Sequence, residues 1–561
     1  MIWRHYVVAL GFCVLVAALA GRVVYLGVDE REFLKKQGDA RAVRLEQLRA
    51  QRGVVRDRWG EPLAISTPVY TVWSDPSLAR VTEEDIARLA PVLGVPEQVV
   101  RARLGDRTRQ YVHLKRRMNW IEAQKVQALD IDGVYLSTEY RRFYPAGETA
   151  AHVIGIAGFG EDGQDEKGLE GIEHAFDERL QGQTGSKRVL RDRGGRNIDD
   201  LEYLEAPRYG EDLQLSLDLR LQFIAYRELK SAVEGHGAAS GSLVMLDAKT
   251  GQILALVNQP SFNPNEPLKP GYEGLRNRAV TDVYEPGSTI KPFAVLAGLE
   301  SGRFHAQSTV DTAPGYMWVG EKLVQDPSNR GVMSLTDALQ RSSQVAIAKL
   351  ALNLEERSVF DVLSRVGVGQ PVGSGLPGEV LGRFSDDGLR SEVVRVTMAY
   401  GYGLSMSPLQ LARAYMVLAR HGVQASPSIL MGSTVDRGER VFDEEDTRTV
   451  LEMMENVTSE AGTAPKARVP GYRVAGKTGT ARIVGTAGYD DERHVALFAG
   501  VVPIDDPRLV MVVVVNEPRG GLSGGGDVAA PVFSRVAERS LRLLGVPGDA
   551  NVQVAASGVR W

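Results

Sequence analysis

The first 27 residues restrict the fate of this chain more than any other segment. Residues 6–21 carry no charge, and beyond Arg22 the apolar pattern runs on through Val23, Val24, Tyr25 and Leu26. As a helix, 6–27 is long enough to cross a hydrocarbon core of about 30 Å. Residues 1–5 followed by 6–17 also fit a signal peptide, with Ala18-Leu19-Ala20 as an A-x-A cleavage site. Apolar residues continuing past Ala20 favour a retained anchor, with Arg22 near one end, where its side chain can snorkel. Both readings place the remaining chain outside the cytoplasm, with Arg4 and the free amine on the inner side. The one cysteine, Cys13, lies inside this stretch. That excludes an intramolecular disulfide, a four-cysteine zinc site or an iron–sulfur cluster, and a thiolate there would be costly.

The rest of the 561 residues is ordinary globular material, 43% hydrophobic and 24% charged, enough for about two to four domains. A net charge of −5 argues against a protein that coats nucleic acid. From 29 to about 213 the chain is arginine-rich and polar, with short β-like runs. A clearer mixed pattern follows. Residues 219–233 have helical spacing, and 242–246 with 252–257 read as a hairpin around Asp247-Ala248-Lys249-Thr250-Gly251. A helix is expected over 335–352, another over 393–418 broken by Gly401, Gly403 and Pro408, and a last one over 530–544. Strands are expected at 495–502, 509–515 and 472–475. Strands at both ends of a helix-rich middle predict an α+β fold, whose antiparallel sheet is completed by sequence-distant segments. The tail, 547–561, is small and polar.

Several motif matches have bland explanations. The eight histidines form no H-E-x-x-H or H-x₃₋₅-H pattern, so no metal site is implied. Gly521-Leu522-Ser523-Gly524-Gly525 matches G-x-S-x-G but follows the end of a strand too late for a nucleophile elbow, and reads as a glycine loop. Lys249-Thr250-Gly251 sits in the hairpin turn, where glycine is expected anyway. Ser288-Thr289-Ile290-Lys291 is different. Pro286-Gly287 breaks the preceding segment and 294–299 is helix-forming, so Ser288 falls at a helix N-terminus with Lys291 one turn on. A serine hydroxyl is a poor nucleophile until a base takes its proton, and a neutral lysine can do so; the alternative is an N-cap serine with a surface lysine. Ser342-Ser343-Gln344 and Lys477-Thr478-Gly479-Thr480 are the second and third elements. Lys477 would place positive charge beside Lys291 and help hold it neutral.

These three motifs, in this order and separated by 54 and 135 residues, resemble those of the penicillin-binding protein family. The resemblance extends over nearly the whole chain. Arg52-Gly53 through Asp57-Arg58-Trp59-Gly60, Arg142-Phe143-Tyr144-Pro145 through Ala151-His152-Val153-Ile154-Gly155, and Gly168-Leu169-Glu170-Gly171-Ile172-Glu173 are similar to segments of class B members. Pro377-Gly378-Glu379 and Tyr402-Gly403 are similar to further transpeptidase landmarks. The cell-division group, FtsI-like, is the nearest type. The resemblance implies a cytoplasmic tail (1–5), an anchor (6–27), a β-rich pedestal or dimerisation domain (28–213), a transpeptidase domain (214–546) and a tail (547–561). It implies a D,D-transpeptidase in which Ser288 attacks a D-Ala-D-Ala stem peptide, Lys291 is the general base and Ser342 relays a proton. Gln344, Lys477, Thr478, Gly479 and Thr480 would bind substrate, with backbone N–H groups of Ser288 and Thr480 as oxyanion hole. No cofactor is implied. The implied ligands are peptidoglycan stem peptides and inhibitory β-lactams. The implied partners are a membrane-embedded glycan polymerase of the FtsW type and bitopic division proteins, with no nucleic acid.

Three positions depart from the family pattern: Gln344 stands where Asn is usual, Arg482 where Gln is common, and a Tyr expected before the late glycine loop is missing around Ser523. The alternatives are an elongation-type paralogue, a serine β-lactamase or penicillin sensor, and a division scaffold with a crippled site.

Overall fold

The computed structural model describes residues 2–33, 36, 43–48, 50–77, 79–159, 166–191, 197–267, 271–432, 438–485 and 488–550. The expected tail lies outside the described residues from 551 onward. Contacts divide the chain into two compact units: Met1–Gly53, Ser66–Phe143 and Gln181–Glu211 in one, Val54–Ile65, Tyr144–Leu180 and Asp212–Trp561 in the other.

In the first unit Ile2–Val28 is one helix of 27 residues, about 40 Å long at 1.5 Å per residue. Its most apolar 18-residue window has a mean hydropathy of 2.4. Among the described residues it is the one helix long and apolar enough to cross a membrane. Strands Val43–Leu48, Gly185–Arg191 and Asn197–Glu205 form an antiparallel sheet with Gly185–Arg191 in the middle. A second core gathers Val72, Ile86, Leu89, Leu93, Leu114 and Met118 between strands and the helices Glu83–Leu93 and Trp120–Gln127. Both helices start with a capping box, Thr82 with Asp85 and Asn119 with Glu122, which satisfies first-turn amides that have no intrahelical acceptor.

The second unit is built on a five-stranded antiparallel sheet. Its strands are β1 (Ser240–Asp247), β2 (Ile253–Gln259), β3 (Ala475–Gly485), β4 (Gly488–Val502) and β5 (Leu509–Asn516), in the spatial order β2-β1-β5-β4-β3. Side chains alternate across a strand, and here both faces are covered. Leu243, Met245, Val513 and Val515 pack with Leu221, Leu229, Phe533 and Val536 of the helices α1 (Leu219–Gly235) and α7 (Gly525–Leu543). Val244, Leu246, Val512 and Val514 pack on the other side with Phe293, Leu296, Leu411 and Tyr415 of α2 (Lys291–Glu300) and α5 (Pro408–Ala419). Double coverage is why β1, β2 and β5 read as nearly unbroken apolar runs. The α+β expectation holds. Of the remaining helices near the motifs, α3 is Leu335–Gln340, α4 is Gln344–Leu352 and α6 is Glu444–Glu455.

Lys249-Thr250-Gly251 is a turn: Asp247 Oδ1 accepts from the backbone N–H groups of Lys249 (2.9 Å) and Thr250 (3.3 Å), and Gly251 has φ +73°. Three expected boundaries are corrected. The helix expected over 335–352 is two helices, because Ser342 takes φ +58° and Ser343 caps α4 by accepting from Ala346 N at 3.0 Å. The strand expected at 472–475 begins only at Ala475, since Tyr472 N and Arg473 N donate to Val469 O and Asp549 Oδ1 instead. The last helix starts at Gly525, not at 530. Its two leading glycines answer to close packing: a Cβ at Gly525 would lie 2.1 Å from Leu497 O, and one at Gly526 2.2 Å from Thr463 O.

Candidate active site

Ser288 sits on a single 3₁₀ turn, Gly287–Ile290, that runs straight into α2. The turn is held from below. Tyr415 OH donates to Thr289 O at 2.8 Å, and the Thr289 hydroxyl donates to Pro286 O at 2.6 Å. Gly287 N donates to Gly401 O at 3.0 Å. Gly401 has φ +87°, and a Cβ there would lie 2.0 Å from Gly287 O, so no side chain fits. Pro292 falls in the first turn of α2, where its missing N–H costs nothing. From this platform Ser288 is partly exposed, while Lys291, three residues on, is fully buried.

The three motifs meet at one atom. Lys291 Nζ donates to Ser342 O at 2.6 Å and to Ser342 Oγ at 3.1 Å. Lys477 Nζ donates to the same Ser342 Oγ at 2.9 Å and to Thr478 O at 3.3 Å. A hydroxyl has two acceptor lone pairs and one proton. With both lone pairs engaged by amines, the Ser342 proton is left to point at whatever enters the site. The Ser288 hydroxyl makes no hydrogen bond with any described residue.

Burial governs the charge of both amines. Loss of hydration brings Lys291 down from its ordinary value to about 7, opposed only by the nearby carboxylate of Asp326. Lys477 is pushed well below its ordinary value, first by burial and then by the charge of Lys291. Burial is the leading cause for both amines, and their mutual repulsion favours a state in which at least one of them is neutral.

The K-T-G-T segment lies on the edge strand β3, alongside the Ser288 turn. A Cβ at Gly479 would lie 3.0 Å from both Pro286 O and Thr289 Cγ2, so a side chain here would press the strand away from the Ser288 turn by a few tenths of an ångström. The Thr478 hydroxyl donates to Thr463 Oγ1 at 3.2 Å, and Thr480 Oγ1 accepts from Gly525 N, at the start of α7, at 3.2 Å. Gln344 opens α4, and its side-chain amide makes no hydrogen bond with any described residue. Ser523 lies seven residues past the end of β5 at Asn516, on the loop before α7, and is no nucleophile elbow.

Asp326 escaped the sequence reading. Its buried carboxylate accepts from the Ser343 hydroxyl at 2.5 Å, Gln344 N at 2.6 Å and Val345 N at 3.3 Å. It thereby satisfies the first amides of α4 and holds the break that carries Ser342. No spacing rule ties an Asp-Pro pair to a motif 16 to 18 residues downstream; only the fold joins them.

Comparison with known proteins identifies the family. A penicillin-binding protein transpeptidase domain model matches residues 241–538, and a penicillin-binding protein dimerisation domain model matches 47–215. Over 554 residues the chain is 39% identical to the peptidoglycan D,D-transpeptidase FtsI of Escherichia coli, covering 98% of this chain and 93% of that one. It is 38% identical over 548 residues to the probable peptidoglycan D,D-transpeptidase PbpC of Pseudomonas aeruginosa, covering 98% and 96%. Among solved structures, penicillin-binding protein 3 of Mycobacterium tuberculosis complexed with aztreonam superposes with a TM-score of 0.68 at 27% identity, covering 90% of this chain and 98% of that one. The chain belongs to the penicillin-binding proteins, class B, in the FtsI group.

Two measurements test the site. A base at Lys291 works only when neutral, so with its value near 7 the second-order acylation rate by a penicillin should rise with pH, through a midpoint near 7. A flat profile would show that Lys291 is not the group titrating. Asp326→Asn keeps the shape but removes the charge. It should slow acylation by about 10- to 150-fold, the loss of roughly 1.5–3 kcal/mol expected for charged hydrogen bonds. Because Asp326 raises the Lys291 value, the same variant should move the rising limb to lower pH. An unchanged rate and profile would remove Asp326 from the site.

Proposed function

We propose that this chain cross-links peptidoglycan at the division septum as a D,D-transpeptidase, with Ser288 as its nucleophile. The observation that carries the assignment is the Ser342 hydroxyl, bonded by two buried lysines, one of them three residues after the partly exposed Ser288. Ser288 Oγ attacks the carbonyl of the penultimate D-Ala of a stem peptide while neutral Lys291 takes its proton. The C–N bond to the terminal D-Ala then breaks. Its amine leaves with a proton relayed by Ser342, and Ser288 carries an acyl ester. The amine of a second stem peptide attacks that ester, forms the new amide and returns Ser288 to its hydroxyl. Lys477, Thr478 and Thr480 hold the terminal carboxylate, and Gln344 with Gly479 lines the peptide's path. The negative charge arriving at Lys477 favours its ammonium form and leaves Lys291 as the neutral partner. Backbone N–H groups of Ser288 and Thr480 stabilise the oxyanion. A β-lactam, presenting a strained amide in the same position, acylates Ser288.

The single apolar helix, together with the full-length likeness to FtsI proteins, fits a single-pass protein of the inner membrane. On this reading residues 1–5 are cytoplasmic and the catalytic residues are periplasmic. The pedestal, 28–213, docks a membrane-embedded glycan polymerase and bitopic division proteins, and 214–546 carries the reaction.

Ser288→Ala should abolish covalent labelling by a fluorescent penicillin while leaving the thermal transition in place. Undiminished labelling of that variant would overturn the mechanism. Wild-type label that is shed within seconds would indicate a β-lactamase, and no wild-type label a scaffold. Gln344 offers the same amide as Asn from one methylene further out. Gln344→Asn should therefore speed acylation by common penicillins about tenfold, near 1.4 kcal/mol. An equal or slower rate would show a pocket shaped around Gln.

A further inference from the structure

The strand that delivers Asp326 to the site belongs to a small hairpin, Tyr316–Val319 paired with Lys322–Gln325. Its two faces differ. Val319 and Val324 are buried in the main core, as the alternation of a strand requires. On the opposite face Tyr316, Trp318 and Leu323 remain 51%, 62% and 38% exposed, with Gln325 exposed beside them. The register places Trp318 opposite Leu323 and Tyr316 opposite Gln325, so the four form one contiguous surface. Two large aromatic rings held in water on a rigid, core-backed hairpin are costly unless something covers them.

The geometry points to a glycan-binding platform: Tyr316, Trp318, Leu323 and Gln325 hold the sugar chain whose stem peptide reacts at Ser288. This inference rests on the transpeptidase reading above. Three features favour a neutral glycan as the occupant. None of the four side chains is charged, and the exposed Lys322 of the same hairpin belongs by register to the other face, opposite Val319. The flat C–H face of a pyranose packs on an aromatic ring, while its rim hydroxyls and acetamido groups need a partner such as the Gln325 amide. The hairpin is also tied to the active site through the buried Asp326, the residue that follows Gln325 in the chain. Leu323 lies three residues, about 10 Å, from Asp326 along an extended strand. Asp326 in turn touches Ser343 and Gln344 directly. A stem peptide of about five residues spans at most about 17 Å. That reach exceeds the roughly 10 Å between Leu323 and Asp326.

The test uses the full chain in detergent with chitohexaose, a neutral N-acetylhexosamine chain without peptide, followed by calorimetry. Chitohexaose should bind the wild type, and Trp318→Ala should weaken binding by about tenfold, the loss typical of a stacked aromatic anchor. Trp318→Tyr, which keeps a ring, should retain binding within about threefold. Penicillin acylation at Ser288 should be unchanged in both variants, which also shows that they fold. With uncross-linked glycan strands as substrate, Trp318→Ala should raise KM and leave kcat unchanged. Absence of chitohexaose binding to the wild type, or equal binding by Trp318→Ala, would overturn the platform. So would loss of a co-purifying protein from Trp318→Ala with sugar binding intact, which assigns the face to a protein. Ser288→Ala should still bind chitohexaose. A wild type that binds the sugar but takes no penicillin label sinks the transpeptidase reading, and with it the link between this sugar site and Ser288.

Discussion

The site depends on two lysine amines sharing one serine oxygen. Lys291 and Lys477 reach Ser342 Oγ from different segments, at 3.1 and 2.9 Å, with both side chains fully buried. Two ammonium ions so placed would pay desolvation twice and repel each other as well. The arrangement is tolerable only if at least one amine is neutral, and a neutral amine is what serine chemistry requires of its base. Burial thus does the chemical work, and much of the surrounding structure serves to keep these groups dry and fixed.

That fixing comes from packing on three sides. α2 lies inside the core, so Lys291 leaves a helix that has no solvent-facing side. β3 is an edge strand, which leaves K-T-G-T open to an extended ligand while β4 holds its other side. The break between α3 and α4 supplies Ser342 in a backbone conformation that a continuous helix could not provide. Asp326 stabilises this break by accepting from three donors at the start of α4. The same carboxylate opposes the lowering of Lys291. One residue therefore sets both the position of Ser342 and the balance of charge around Lys291.

Much of this was legible residue by residue. The apolar runs of β1, β2 and β5 announced buried strands because burial on both faces removes the polar alternation. Lys249-Thr250-Gly251 was separable from Lys477-Thr478-Gly479 because its neighbours form a tight hairpin. Helix boundaries were less legible. Residues 335–352 have continuous apolar spacing, and neither Ser342 nor Ser343 is a helix breaker by type. The helix stops there because a carboxylate from a distant loop competes for its amides. Likewise Gly525 and Gly526 looked like loop residues by composition, yet they open α7, and they are glycine because neighbouring carbonyls leave no room for a Cβ.

The sequence by itself determined the long apolar N-terminal segment, the α+β class and the identity and order of the three motifs. Each of these follows from local hydrophobic patterning or from short spacings along one element. Only the tertiary structure decided that Lys291 and Lys477 converge on Ser342, that Asp326 joins them, and that an aromatic hairpin stands beside the site. Lys291 and Lys477 are both ordinary lysines in the sequence; what distinguishes them is the water excluded around them. Exclusion of water is a property of packing between segments up to 186 positions apart in the chain, and no local pattern encodes it.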